Sequence, residues 1–172
     1  MPEQMITFDY NREKAVAYAD EWAYRRNPRF LDFQELGGDC TNFASQCIYA
    51  GAGIMNYTPV YGWFYITGNN RTASWTGVQF LYNFLTTNQG VGPFGHEVGI
   101  EDIRPGDICQ LNIFEGRFHH SPVIVSTGEV PTLDNTLVAA HSRDVNCRQI
   151  STYKYVAIRF IHIDGVRTVR GS

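Results

Sequence analysis

Gly37-Gly38-Asp39-Cys40-Thr41-Asn42-Phe43-Ala44-Ser45-Gln46-Cys47-Ile48-Tyr49-Ala50-Gly51 is the stretch on which the reading of this chain turns. Two glycines deliver the backbone into a run whose apolar positions, Phe43, Ala44, Cys47 and Ile48, recur at helical spacing. Gly51 and Gly53 then stop it. Cys40 therefore stands at the start of a helix, where backbone N–H groups without intrahelical partners stabilise negative charge and favour thiolate over thiol. Its own N–H is a candidate oxyanion donor. Asp39 is expected to cap the helix; uncapped, its charge would oppose the thiolate. On these local grounds Cys40 is either a nucleophile or an inert buried cysteine.

Before this helix, Asn11 can cap another that starts near Arg12 and ends before Pro28, with Ala15, Tyr18, Ala19 and Trp22 as its core stripe. After it, residues 56–75 mix aromatics with Gly, Asn, Thr and Pro and show no sustained period. This segment reads as an ordered excursion with a turn at Gly68-Asn69-Asn70. Its Tyr57, Trp63 and Trp75 either wall a substrate groove or pack into the core. A third helix is expected over 76–87. From there the pattern turns to β: Pro105-Gly106-Asp107 introduces a strand at 108–111, and Val-, Ile-, Phe- and Tyr-rich runs mark strands near 118–126, 136–142 and 153–163. Helices first and antiparallel strands afterwards predict an α+β fold, N-terminal helices packed on a C-terminal antiparallel sheet.

The 172 residues fit a single domain, its core spanning about 8–163, with Gly171-Ser172 reading as a vector remnant as much as natural sequence. A net charge of -3 and the lack of any Lys/Arg run argue against nucleic acid as a partner. No apolar stretch approaches the length of a membrane span, and no signal peptide is visible. The four cysteines, at 40, 47, 109 and 147, are expected as free thiols. Cys40 and Cys47 lie about 10 Å apart on one helix, beyond disulfide reach. No CxxC pair supports a zinc site, so no metal and no cofactor are expected.

A thiol nucleophile needs a base. His119 and His120 open the run HHSPVIV, where successive side chains face opposite ways, so one of them can face Cys40. His141 ends the run TLVAAH and Asp144 follows three residues later. If 118–126 and 136–142 pair as a hairpin, His120 and His141 meet at its open end as base and orienting group. His96 reads as a loop residue and His162 as structural or exposed. A metal cluster of His119, His120 and His141 with Cys109 or Asp144 matches no known ligand spacing.

GGDCTNFASQCIYAG, MNYTP, GW, WTGVQFLYNFLTTNQGVGPFG, RPGDICQL, RFHHS and LVAAHSRD occur in this order. Together they resemble the putative amidase domain family from about Phe8 to Ile163, and through it the papain-like bacterial cell-wall hydrolases and CHAP amidases. The resemblance implies a papain-like cysteine hydrolase core in which Cys40 is the nucleophile and His120 the base. His141 is the third member, with Asp144 its rival. It also implies a peptide or peptidoglycan substrate and a location outside the cell membrane. An acyltransferase or transglutaminase-like enzyme using the same thiol is the alternative, as is an inert wall- or peptide-binding module. The sequence is silent on oligomeric state.

Overall fold

A computed structural model describes residues 4–114 and 116–171; Ser172, half of the terminal dipeptide read as a vector remnant, lies outside them. The first strand, β1 (Met5–Phe8), leads into α1 (Arg12–Trp22), which Asn11 caps by accepting the Lys14 N–H at 3.0 Å. Ala15 and Ala19 bury the stripe against α2 (Cys40–Ala52), and small residues there let the two helices approach closely. Gly53 ends α2 in the left-handed conformation, φ 73°, which glycine adopts without a Cβ penalty.

The aromatic excursion folds back as a short hairpin, β2 (Tyr65–Thr67) and β3 (Asn70–Arg71), turning where Gly68 and Asn69 were expected to turn it. A short helix that was not expected, α3 (Ala73–Thr76), precedes α4 (Val78–Thr87), which is the helix expected over 76–87. Gly77 separates them in an extended conformation, φ -112° and ψ 129°, and caps α4.

Six further strands complete the domain: β4 (Gly92–Val98), β5 (Ile108–Asn112), β6 (Val123–Ser126), β7 (Leu137–Ala140), β8 (Val145–Gln149) and β9 (Ala157–Val169). The main sheet runs β1-β9-β5-β6-β7-β8, with β4 also paired to β9, and every pairing is antiparallel. The chain is thus α+β. Besides the β2–β3 hairpin, three strands of the main sheet were not anticipated. β1 and β8 carry mostly polar or half-exposed residues, and β4 is the Gly-rich segment read as a loop around His96. The run at 118–126 is strand only from Val123, because Pro122 has no N–H to donate. Ahead of it a single bridge joins His120 to Leu111.

One face of the sheet, with Val123, Val125, Ala139 and Ile161, packs on Phe43, Ala44, Cys47 and Ile48 of α2 and on α1. The other face carries a smaller cluster of Ile103, Cys109, Ile124, Val138, Ile150 and Phe160. Asp107, fully buried, ties the layers together. Its carboxylate accepts from Arg12 (2.7 Å), the Ile163 N–H (2.9 Å), the Arg104 N–H (2.7 Å) and His162 Nδ1 (2.8 Å). His162 is thereby a structural residue.

Candidate active site

Gly37 and Gly38 take φ of 102° and 105°, a region closed to most side chains, and swing the chain into α2 with Cys40 as its first residue. Cys40 is 8% exposed, and among the described residues its backbone N–H has no hydrogen-bond partner. Its sulfur lies 3.7 Å from the His119 carbonyl oxygen, against the backbone just ahead of His120. Thr41 Oγ1 is 3.7 Å from the same sulfur and 3.2 Å from Ser121 Oγ. Ser121 Oγ in turn accepts from Gln110 Nε2 at 3.2 Å, so a buried polar chain backs the thiol. Nothing in the sequence pattern singled out Thr41, Gln110 or Ser121.

Burial raises the Cys40 thiol pKa, and hydrogen bonds from the Thr41 side chain and the Ser121 and Thr41 backbone offset part of that; the Asp39 charge adds to the rise. The thiolate expected from the helix start is therefore opposed by desolvation, and the resting residue is a thiol. His120 moves the other way. It is 8% exposed, and burial, with His119 and Arg148 nearby, pulls its pKa down to about 4. At neutral pH it is an uncharged imidazole. Among the described residues no hydrogen bond engages its ring, and its nearest aromatic neighbour is Tyr153, with ring centres 5.9 Å apart. Cys40 and His120 line one groove of about 1170 Å³, without a hydrogen bond between them.

The other residues expected at the site lie around it or apart from it. β6 and β7 do pair, with Val123 opposite Ala139. Carried two residues on, that register sets His141 opposite Ser121 and leaves His120 on the other face. A one-residue offset in an antiparallel pair reverses which face a side chain meets. Accordingly Ser121 touches Thr41 of α2, and His141 stacks on Phe43 of the same helix, ring centres 4.0 Å apart.

His141 Nδ1 meets Asp39 Oδ2 at 2.5 Å and its Nε2 meets the Trp22 carbonyl oxygen at 2.8 Å. Nε2 also lies 3.3 Å from Arg26 Nη1, so both ring nitrogens are engaged by groups other than Cys40 and His120. Asp144 is held bidentate by Arg26, at 2.8 and 3.0 Å, and Arg26 also lies 3.6 Å from Asp39. Asp39 stands at the cap position of α2 without capping it. Its carboxylate accepts instead from the Phe33 N–H and Asn42 Nδ2, both at 2.8 Å, besides His141. The Asp39 N–H donates to Ser142 Oγ at 3.0 Å. His141, Asp144, Arg26 and Ser142 thus converge on the residue before Cys40. Arg26 and Ser142 carried no sequence signal.

Trp63 and Trp75 are both fully buried, with ring centres 4.7 Å apart, and donate to Ser45 Oγ and Asn42 Oδ1. They brace α2 from behind and do not line the groove, because no surface of either is left for a substrate. Tyr57 is exposed and packs on Phe64, also away from Cys40. All four cysteines are free. Among the described residues no cluster of three His, Cys, Asp or Glu could hold a metal ion, and no helix is long and apolar enough to cross a membrane.

A helix-start thiol, a neutral imidazole and an unpaired amide in one groove are the equipment of acyl transfer from amides. The model of the putative amidase domain family matches residues 9–163, and the chain belongs to that family. Membership supports hydrolysis of C–N bonds in general. The chain is 31% identical over 132 residues to the uncharacterized protein YhbB of Bacillus subtilis (strain 168), covering 74% of this chain and 41% of that protein. It thus spans about two-fifths of that relative's length. No solved structure matches the chain.

Proposed function

We propose that this protein is a cysteine amidohydrolase with a papain-like arrangement, cleaving amide bonds through a thioester. The observation that carries the reading is Cys40 at the first turn of α2, its own N–H unpaired, in a groove shared with the neutral imidazole of His120. A base near pKa 4 and a thiol raised by burial do not exchange a proton at rest. The proton passes to His120 as the sulfur attacks, once the ring turns onto the thiol with substrate in place; such bonds commonly tighten only in the complex.

The attack forms the S–C bond, and the carbonyl oxygen becomes an oxyanion facing the Cys40 N–H. Protonated His120 then gives its proton to the leaving nitrogen as the C–N bond breaks, leaving a thioester. Water, deprotonated by His120, releases the carboxylic acid and restores the thiol. His141 and Asp144 enter as positioning residues. They act through Asp39 and Arg26 on the start of α2 rather than by orienting His120.

Peptide amides, including those of peptidoglycan outside the cell membrane, are the proposed substrates. Digestion of purified peptidoglycan and of free peptides by the wild type and by Cys40→Ala, read by mass spectrometry for new amine termini, tests the reaction and locates the bond. Turnover that survives Cys40→Ala would remove the thiol from the mechanism. Transfer to added amines in preference to water would instead favour an acyltransferase.

A further inference from the structure

The groove holding Cys40 and His120 is ringed by cations. Arg117, Arg143, Arg148 and Lys154 line it, and among the described residues no Asp or Glu does. The chain as a whole has 17 acidic residues against 14 Lys and Arg, so this bias is local and opposes the net charge. Low-dielectric walls concentrate such a field at the bottom of a cleft.

Arg148 is firmly held. Its Nε donates to Thr152 Oγ1 at 2.9 Å and its Nη2 to the Thr152 carbonyl oxygen at 3.2 Å. The guanidinium lies 3.6 Å from the centre of the Tyr153 ring, the same ring that neighbours His120. Two contacts and a stacked face immobilise the fork, and Tyr153 takes a further hydrogen bond from it; that leaves part of its set of five N–H donors for a ligand. That geometry suits bidentate pairing with a planar anion. Arg143 stands exposed in the turn joining β7 to β8, where Ser142 and Arg143 hold φ of 61° and 64°. Neither is a glycine, and such residues persist in this conformation only where their surroundings impose it. Here the Asp39 N–H grips Ser142 Oγ, so the turn that carries Arg143 is tied to the residue before the nucleophile.

We infer that the groove is built for an anionic substrate, a peptide whose carboxylate lies beside the scissile amide and pairs with Arg148, with Arg143 and Lys154 adding to the attracting field. Val78, Phe80, Phe114 and Phe118 line the same groove and suit the apolar parts of a peptide. The inference rests on the reading of Cys40 as an accessible nucleophile.

Alkylation of Cys40 by iodoacetate and by iodoacetamide separates the two claims without a known substrate. Both reagents form an S–C bond and expel iodide, and they differ only in charge. With the site resolved by peptide mass spectrometry, the iodoacetate-to-iodoacetamide rate ratio at Cys40 is expected to exceed that of the uncharged thiol N-acetylcysteine amide by about fivefold or more at low salt, and to fall as salt screens the field. Arg148→Ala is expected to cut the ratio by about threefold, and Arg148→Lys to keep most of it, on the same principle of field strength. Arg143→Ala and Lys154→Ala, both at exposed positions, should each lower it less.

A ratio equal to that of N-acetylcysteine amide, or one indifferent to Arg148→Ala, would overturn the inference while leaving the nucleophile in place. Cys40 inert to both reagents would overturn the nucleophile itself. Protection of Cys40 from iodoacetamide by short peptides identifies the source of the carboxylate. Glu against Gln peptides report a side-chain carboxylate, and free against amidated C-termini report a terminal one. Equal protection by the neutral partner in both pairs counts against the inference.

Discussion

Replacing Asp39 by Ala removes the group on which the site network converges. Asp39 and His141 are each 1% exposed in their side chains, so solvent neither screens their attraction nor replaces it once one partner is gone. The substitution strips the acceptor from His141 Nδ1, the Phe33 N–H and Asn42 Nδ2 together, and takes the compensating charge from Arg26. Breaking a buried pair of this kind from one side costs about 3–5 kcal/mol. For a domain of this size each kcal/mol lowers the melting temperature by roughly 2–4 °C, so a fall of about 6–20 °C is expected. Thermal unfolding followed by circular dichroism, with urea unfolding as a check on cooperativity, measures it. A double-mutant cycle with His141→Gln should return a coupling of about 1–3 kcal/mol, because the residues touch. A loss under about 2 °C on that same scale, or additive effects of the two substitutions, would show that the pair does not hold the start of α2.

Other outcomes follow from the same geometry. Cys40→Ala should abolish turnover with a melting temperature within a few degrees of the wild type, since the side chain is small; this needs an activity assay beside the melting curve. His120 is buried in its neutral form with its pKa depressed to about 4 from an ordinary value of 6.5. Between those two values the unfolded chain binds the extra proton and the folded one resists it, so this group's contribution to stability is lost as pH falls from about 6.5 towards about 4. Wild type should therefore lose more stability than His120→Gln over that interval, and the acid limb of kcat/KM should fall well below pH 6; a limb at 6.5 or above would contradict the buried neutral base. Trp75→Ala should destabilise by roughly 3–5 kcal/mol in urea unfolding, because it empties a fully buried site behind α2.

Helical periodicity around Cys40, the Asn11 cap and the β-rich second half were legible because each is a local pattern, readable from residues within a few positions. So was the place of Cys40, since two glycines before a cysteine and an apolar stripe after it describe a helix start wherever the chain lies in space. The strands β1, β4 and β8 were missed for the complementary reason. Their residues are half-exposed or Gly-rich, and pairing with β9 or β7 supplies the order that their own composition does not.

The sequence by itself determined that a thiol stands at a helix start ahead of a β layer holding His120 and His141. Tertiary structure decided what surrounds that thiol. Register sends His120 into the groove and turns His141 onto Phe43 and Asp39, because successive strand residues face opposite ways. Burial decided that Cys40 rests as a thiol, because desolvation outweighs the helix end, and burial took Trp63 and Trp75 out of reach of any substrate. The cations of the groove come from the β7–β8 turn, from β8 and from the segment beyond it, so only the folded chain brings Arg143, Arg148 and Lys154 to one rim.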